Sequence, residues 1–147
     1  MRRPRSVTQT SLLDTNVFIS AVKDPRRQTG TLRLILKIIG SPRTGLVGND
    51  LLAEEMARYA ELLKSETAAT LLHALIAKME IIDARENYLR ACKAYIKTPD
   101  RADILHAATC LQTNAILISN DHHFNRIREE GIIKVWTTKE AIKRLLK

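Results

Sequence analysis

Short apolar runs alternate with helix-length amphipathic stretches from Ser11 to the end of the chain, and the runs stop at turn residues. Leu12 and Leu13 close one run, which ends at Asp14; residues 115–119 (AILIS) form the clearest one, which ends at Asn120 and Asp121. Runs of this kind suit strands covered on both faces. Strands alternating with helices point to an α/β fold with a mostly parallel sheet and right-handed crossovers. About five strands are expected: the run ending at Leu13, then residues 45–48, 79–83, 115–119 and 132–136, with 79–83 at a sheet edge.

The helical stretches are residues 17–22, 31–39, 51–63, 67–77, 85–96, 102–113, 124–130 and a terminal one. Their limits carry recognisable signals. Asp24 to Arg27 breaks the first, and Gly40-Ser41-Pro42 closes the second. Asn49 or Asp50 caps the third, and Thr137 or Thr138 caps the last. The terminal helix has Glu140 near its start and Lys143, Arg144 and Lys147 near its end, an order that suits the helix dipole. Neither an internal repeat nor a low-complexity segment interrupts the pattern.

A chain of 147 residues, 45% apolar and 27% charged, reads as one soluble domain with a sizeable core. We place that domain at residues 11–147, after a basic arm at residues 1–10. The net charge of +8 favours an anionic partner, nucleic acid first, although a solvated Lys- and Arg-rich surface explains it equally well. No segment stays apolar for the ~18 residues a membrane span requires. No apolar stretch of signal-peptide type follows the basic start before Asp14. Cys92 and Cys110 are isolated, which excludes a disulfide framework or zinc ribbon and suits buried small hydrophobes in a reducing, cytoplasmic setting.

Parallel topology has a consequence for the acids. Asp14 and Asp121 each follow a strand, so both lie at the carboxyl edge of the sheet, where ligands collect in open α/β sheets. Glu54 lies in the first turns of the helix leaving the second strand. Asp103 opens the helix that runs back toward AILIS, and a crossover helix starts where the preceding strand ended. Taken singly, each acid has a plain explanation as a turn, cap or first-turn residue. Taken together they do not. Two unit charges ~4 Å apart repel by ~4 kcal/mol at an effective dielectric of 20, whereas a cap is worth only ~1 kcal/mol. A divalent cation would justify the gathering, because Mg²⁺ and Mn²⁺ take hard oxygen ligands.

Four segments, LLDTNV (12–17), LVGNDLLAE (46–54), ADILHAAT (102–109) and LISNDHHF (117–124), carry a family likeness. In this order and spacing the chain resembles the PIN-domain ribonucleases, most closely the VapC-type toxins of toxin–antitoxin pairs. The resemblance implies a PIN-like three-layer α/β fold and Mg²⁺- or Mn²⁺-dependent cleavage of RNA that leaves 5′-phosphate and 3′-hydroxyl ends. It implies that Asp14, Glu54, Asp103 and Asp121 hold the metal and form the catalytic site. It gives Asn16 the turn and a metal-bound water, and sets Ser119 where the family often has Thr. It also implies a VapB-like antitoxin and a homodimer as partners, and no membrane. Gly48 departs from the Ser or Thr common there. Glu55 directly follows Glu54, so the register of the second motif is open by one residue, with Glu55 the expected solvated neighbour. Asp100 stands close enough to Asp103 to join the metal shell.

Other polar residues have plainer readings. His106 matches a His common after the third acid and is expected to make a packing hydrogen bond. His122 and His123 invite a zinc reading, but no Cys or HxxxH partner supports it. Arg101, Arg126 and Arg128 flank the acids and suit RNA phosphates or bare solvent equally. Two rival functions remain. A phosphotransfer domain would need paired acids near the first strand or a DxD, and the chain has DTN. An RNA- or antitoxin-binding module with little turnover would explain the basic surface but not the acids.

Overall fold

A computed structural model of the chain describes residues 7–24, 26, 27, 29–97 and 100–146. Strand β1 (Gln9–Leu13) buries its last four side chains and forms the middle of the sheet. Beside it run β2 (Thr44–Gly48) and β4 (Ile116–Ile118), with β3 (Glu80–Ile81) and β5 (Lys134–Trp136) at the two edges. All neighbours pair in parallel, so the order β3-β2-β1-β4-β5 gives five parallel strands. Ser11 sits opposite Leu46 on one side and Ile116 on the other.

Among the described residues eight helices flank the sheet: α1 (Thr15–Lys23), α2 (Thr29–Gly40), α3 (Asp50–Leu63), α4 (Glu66–Lys78), α5 (Glu86–Lys93), α6 (Arg101–Thr113), α7 (Asn125–Glu129) and α8 (Thr138–Leu145). The first two pack on each other, α1 also on α3, and α2 also on α4, β2 and α8. The α5–α6 pair packs together, and α6 lies against β2, β1 and β4. Leu12, Leu13, Phe18, Ile35, Leu52, Leu117 and Phe124 are wholly buried in the resulting core. No described helix is long and apolar enough to cross a membrane.

The expected strands and helices are present, with shifted limits. β1 starts at Gln9, so residues 9 and 10 of the expected arm are strand; residues 1–6 lie outside the described ones. β3 is two exposed residues long rather than 79–83, and it does lie at an edge. α5 stops at Lys93 rather than at residue 96. The expected helix 124–130 is split into a 3-10 turn (His122–Phe124) and the short α7, closed by Gly131 at φ +68°. Thr98 and Pro99 of the expected break lie outside the described residues.

Local chemistry accounts for several limits. Asn49 Oδ1 accepts from Leu52 N–H at 2.8 Å and starts α3; Ser65 starts α4 in the same way. Thr137 and Glu140 form a reciprocal capping box at α8. Arg128 grips Glu140 through two bonds of 2.9 and 2.7 Å, and this grip, with the Thr137 N–H, pulls the Glu140 carboxyl down to about 2. Arg128 is therefore committed to α8 and not to the acids. Both cysteines are buried, and burial pushes the Cys92 thiol up to about 11 and raises Cys110 as well. A Cβ at Gly48 would run into Met79 Sδ, which explains why this chain has glycine there.

The strand order fixes where a ligand can sit. From β1 the chain moves outward to β2 and β3, whereas β4 lies on the other side of β1 and leads to β5. The connections therefore diverge between β1 and β4. That divergence opens a crevice at their carboxyl ends, the usual ligand position in open parallel sheets.

Candidate active site

Asp14 and Ser119 follow the two strands that border this crevice. Asp14 occupies the N-cap position of α1, yet its side chain makes no capping bond. Its Oδ2 instead accepts from Ser119 Oγ at 2.7 Å, and Ser119 Oγ in turn accepts from the Asp121 backbone N–H at 3.0 Å. The serine hydroxyl thus ties the acid after β1 to the acid after β4. Asp121 does cap the 3-10 turn: its Oδ1 accepts from His123 N–H at 2.9 Å.

Asp103 lies in the first turn of α6, behind the N-cap Asp100, whose Oδ1 accepts from Ala102 N–H. The route by which Asp103 arrives differs from a simple crossover. Gln112, near the far end of α6, bonds to the Asp83 carbonyl and to Arg85 N–H. The chain after β3 therefore first returns toward the amino ends of the strands. α5 brings it back, and α6 starts at the carboxyl edge. Two helices in this connection, not one, put Asp103 beside Asp14.

A cavity of ≈190 Å³ is lined by Asp14, Thr15, Asn16, Glu55, Tyr59, Asp100, Ala102, Asp103, His106, Asp121 and His123. The structure therefore brings together Asp14, Asp103, Asp121, Asn16 and Asp100 of the expected residues. Ser119 is buried behind them. Glu54 is not among them. It is exposed on α3, and Glu55 lines the cavity in its place. Helix phase is the reason. Leu52 and Met56 point inward, and Glu55, three residues after one and one before the other, shares their side, while Glu54 is turned away by ~100° per residue.

Asp14 and Asp103 are 6% and 8% exposed. Burial pushes both carboxyls above the ordinary Asp range. Asp121 and Glu55 raise Asp14 further, and Asp121, Asp100 and Asp14 raise Asp103 further, while the Ser119 and His123 hydrogen bonds work against the rise. The cluster thus carries negative charge at a cost that the chain alone leaves partly uncompensated.

His123 belongs to this pocket in a way the sequence did not reveal, whereas His106 makes the packing contacts expected of it. His123 joins two of the acids: its ring Nδ1 pairs with Asp103 Oδ2 at 2.9 Å, and its backbone N–H donates to Asp121 Oδ1 at 2.9 Å. His122 is exposed, with Nδ1 3.7 Å from Asp121. His106 is buried between Asn49 and Glu55. Of the three arginines, Arg101 is exposed at the start of α6, Arg126 lies over the Tyr95 ring at 5.6 Å, and Arg128 is held by Glu140.

The family model of the PIN domain matches residues 11–130, from β1 to the end of α7. The chain belongs to the PIN-domain family. Two solved structures resemble this PIN domain in fold. One is VapBC2 from Rickettsia felis bound to a DNA fragment from their promoter, at 16% identity and TM-score 0.63, covering 88% of this chain and 98% of that one. The other is VapBC-1 from nontypeable Haemophilus influenzae, at 19% identity and TM-score 0.60, covering 89% of this chain and 99% of that one. No curated protein matches this chain in sequence.

The donor set of the PIN-domain pocket fits a hard divalent cation. Asp14, Glu55, Asp103 and Asp121 offer carboxylate oxygens, the ligands such ions prefer. Thr15 lines the same cavity, and its Oγ1 is buried with no hydrogen-bond partner among the described residues. A buried hydroxyl left this way is costly unless water or a ligand completes it.

Proposed function

We propose that this PIN domain is a VapC-like ribonuclease toxin that hydrolyses RNA phosphodiester bonds with Mg²⁺ or Mn²⁺. The observation that carries the reading is the burial of Asp14 and Asp103 in one cavity with Asp121 and Glu55, their carboxyls raised by burial and by one another. A chain gains nothing in stability from such a cluster without a countercharge.

Asp14, Asp103 and Asp121 hold the cation, and Glu55, rather than Glu54, shares it or orients the attacking water. A bound divalent ion supplies an acidified water and neutralises phosphate charge during in-line displacement. The remaining work falls to the chain. Ser119 donates its proton to Asp14 Oδ2, which fixes that carboxylate and leaves Oδ1 for other partners. Asp100 and Asn16 line the same cavity. Asp103 bonds the His123 ring and Asp121 its backbone N–H, so His123 keeps the spacing of the two acids. No Ser or Cys nucleophile is required.

The net charge of +8 favours RNA as the anionic substrate, and exposed Arg101 beside the pocket suits a phosphate contact. By analogy with the VapBC structures, a VapB-like antitoxin is the protein partner. The likeness to VapC-type toxins adds a homodimer, and the isolated cysteines suit a reducing, cytoplasmic setting.

Incubation of end-labelled RNA with fresh protein tests this. Cleavage is expected with Mg²⁺ or Mn²⁺, with 5′-phosphate and 3′-hydroxyl ends, and EDTA should stop it. Cleavage that survives EDTA would contradict the metal-dependent mechanism. Metal-independent RNA binding without cleavage would favour the second reading, a PIN-like module that binds RNA or an antitoxin with little turnover.

A further inference from the structure

His106 is a histidine whose proton position the surrounding bonds decide. Its Nδ1 lies 3.2 Å from Asn49 Nδ2, and its Nε2 lies 3.3 Å from Glu55 Oε1. Both His106 and Asn49 are 2% exposed, so water does not stand in for these partners. Ring tautomers are normally ambiguous from heavy-atom positions. Here the ambiguity is removed in three steps.

Asn49 Oδ1 accepts the Leu52 N–H at the start of α3. A flipped amide would set two donors against each other, so the NH₂ group must face the other way, toward Thr109 Oγ1 at 3.1 Å and His106 Nδ1. Thr109 has already given its hydroxyl proton to the Leu105 carbonyl at 2.8 Å, so it accepts from Asn49. An amide nitrogen has no lone pair to offer. His106 Nδ1 must therefore also accept, and the ring proton lies on Nε2, aimed at the Glu55 carboxylate.

We infer that Asn49 and His106 form a positioning relay, in which the cap of α3 locks His106 as its neutral Nε2–H tautomer and thereby aims Glu55 into the acid pocket. The inference rests on the cation-dependent reading of that pocket. Glu55 has a long side chain with much rotamer freedom to lose. The imidazole N–H takes one lone pair of Oε1 and leaves Oε2 for a cation or its water. A neutral donor does this without placing a positive charge beside the cation position, as Lys or Arg would. Second partners of this kind orient the groups that touch a metal. The helix cap and the pocket thereby share one residue: Asn49 starts α3 and, through His106 on α6, sets the direction of an acid on α3's second turn.

The test uses ¹⁵N NMR of the His106 ring together with Mn²⁺ binding by calorimetry on metal-free protein. The unmutated protein should show the pure Nε2–H tautomer and bind Mn²⁺. Asn49→Ser keeps an N-cap oxygen for Leu52 but removes the amide donor. It should mix the tautomers and weaken Mn²⁺ about 10-fold. His106→Gln, a second variant that retains an N–H donor, should weaken it less than His106→Leu. A proton found on Nδ1 would overturn the lock. A tautomer shift in Asn49→Ser with unchanged Mn²⁺ affinity would overturn the positioning role. Absence of Mn²⁺ binding in the unmutated protein would overturn the cation reading itself, a result the ring spectrum keeps distinct from failure of the lock.

Discussion

Asp14→Asn is expected to abolish RNA cleavage and to leave the metal-free protein melting no lower than the unmutated one. Both halves come from the same geometry. Asp14 is buried beside Asp121 and Glu55, so its charge is unfavourable in the fold without a cation. Asn keeps the shape, and its side-chain oxygen can still accept from Ser119 Oγ. What disappears is the charge expected to hold the ion. The loss of activity should exceed the ~100-fold that removal of an outer-shell partner can cause.

The pH dependence has a definite sign. The Asp14 carboxyl is raised above its ordinary 3.8 in the fold, so it is protonated more readily there than in the unfolded chain. A raised group contributes most stability below its unfolded value and loses that contribution as pH rises through the folded value. The thermal advantage of Asp14→Asn should therefore be present at neutral pH and vanish below pH 3.8. Metal should reverse the ranking. Mg²⁺ or Mn²⁺ at 100 times its Kd adds ~2.7 kcal/mol to the unmutated protein, roughly 5 to 10 °C for a domain of this size. Thermal melts of both proteins with and without metal check this, and equal metal-induced shifts in the two would count against the cluster as the binding site.

Phe124→Ala has the second large effect, and it acts through packing. Phe124 is wholly buried and ends the 3-10 turn that begins one residue after Asp121. Its backbone N–H also reaches the Asp121 carbonyl. Deleting a buried aromatic side chain costs about 3–5 kcal/mol, because transfer and cavity terms add. The melting temperature should fall by roughly 10 °C or more. Asp121 and His123 stand on the turn this ring anchors, so Mn²⁺ affinity should fall as well at temperatures where the variant is still folded. Phe124→Leu should retain most of both. Urea unfolding monitored alongside Mn²⁺ titration measures the two effects, and a stability loss below about 1 kcal/mol would contradict the anchoring role.

Much of this arrangement is legible in the residues. The carboxyl-edge placement of Asp14 and Asp121 follows from strands read in AILIS and in the run ending at Leu13, and the parallel sheet bears out that alternation. A cap at Asn49 or Asp50 is likewise legible before the helical pattern, and Asn49 is the one that caps α3. The choice between Glu54 and Glu55 was also within reach. Leu52, Met56, Tyr59 and Leu63 mark one side of α3, and Glu55 fits that spacing where Glu54 does not. The family motif ends at Glu54, which the helix phase turns outward. Asp103 reached the expected edge for an incomplete reason, because the parity of helices between β3 and β4 decides it and the sequence order of elements does not display the return leg through residues 82–85. His123 was hidden for a different cause. Its contacts to Asp103 and Asp121 depend on a 3-10 turn, and a stretch of three residues, HHF, carries no periodicity by which to recognise one. The His106 tautomer depends on a chain of donors and acceptors from α3 and α6, which exists only once the two helices pack.

An anomalous difference map from a crystal of this protein soaked in Mn²⁺ tests the central claim most directly. A strong peak is expected between the carboxylates of Asp14, Asp103 and Asp121, with Glu55 within one water of it. A crystal with no peak in that cavity, or with manganese bound only at the exposed His122, would contradict it.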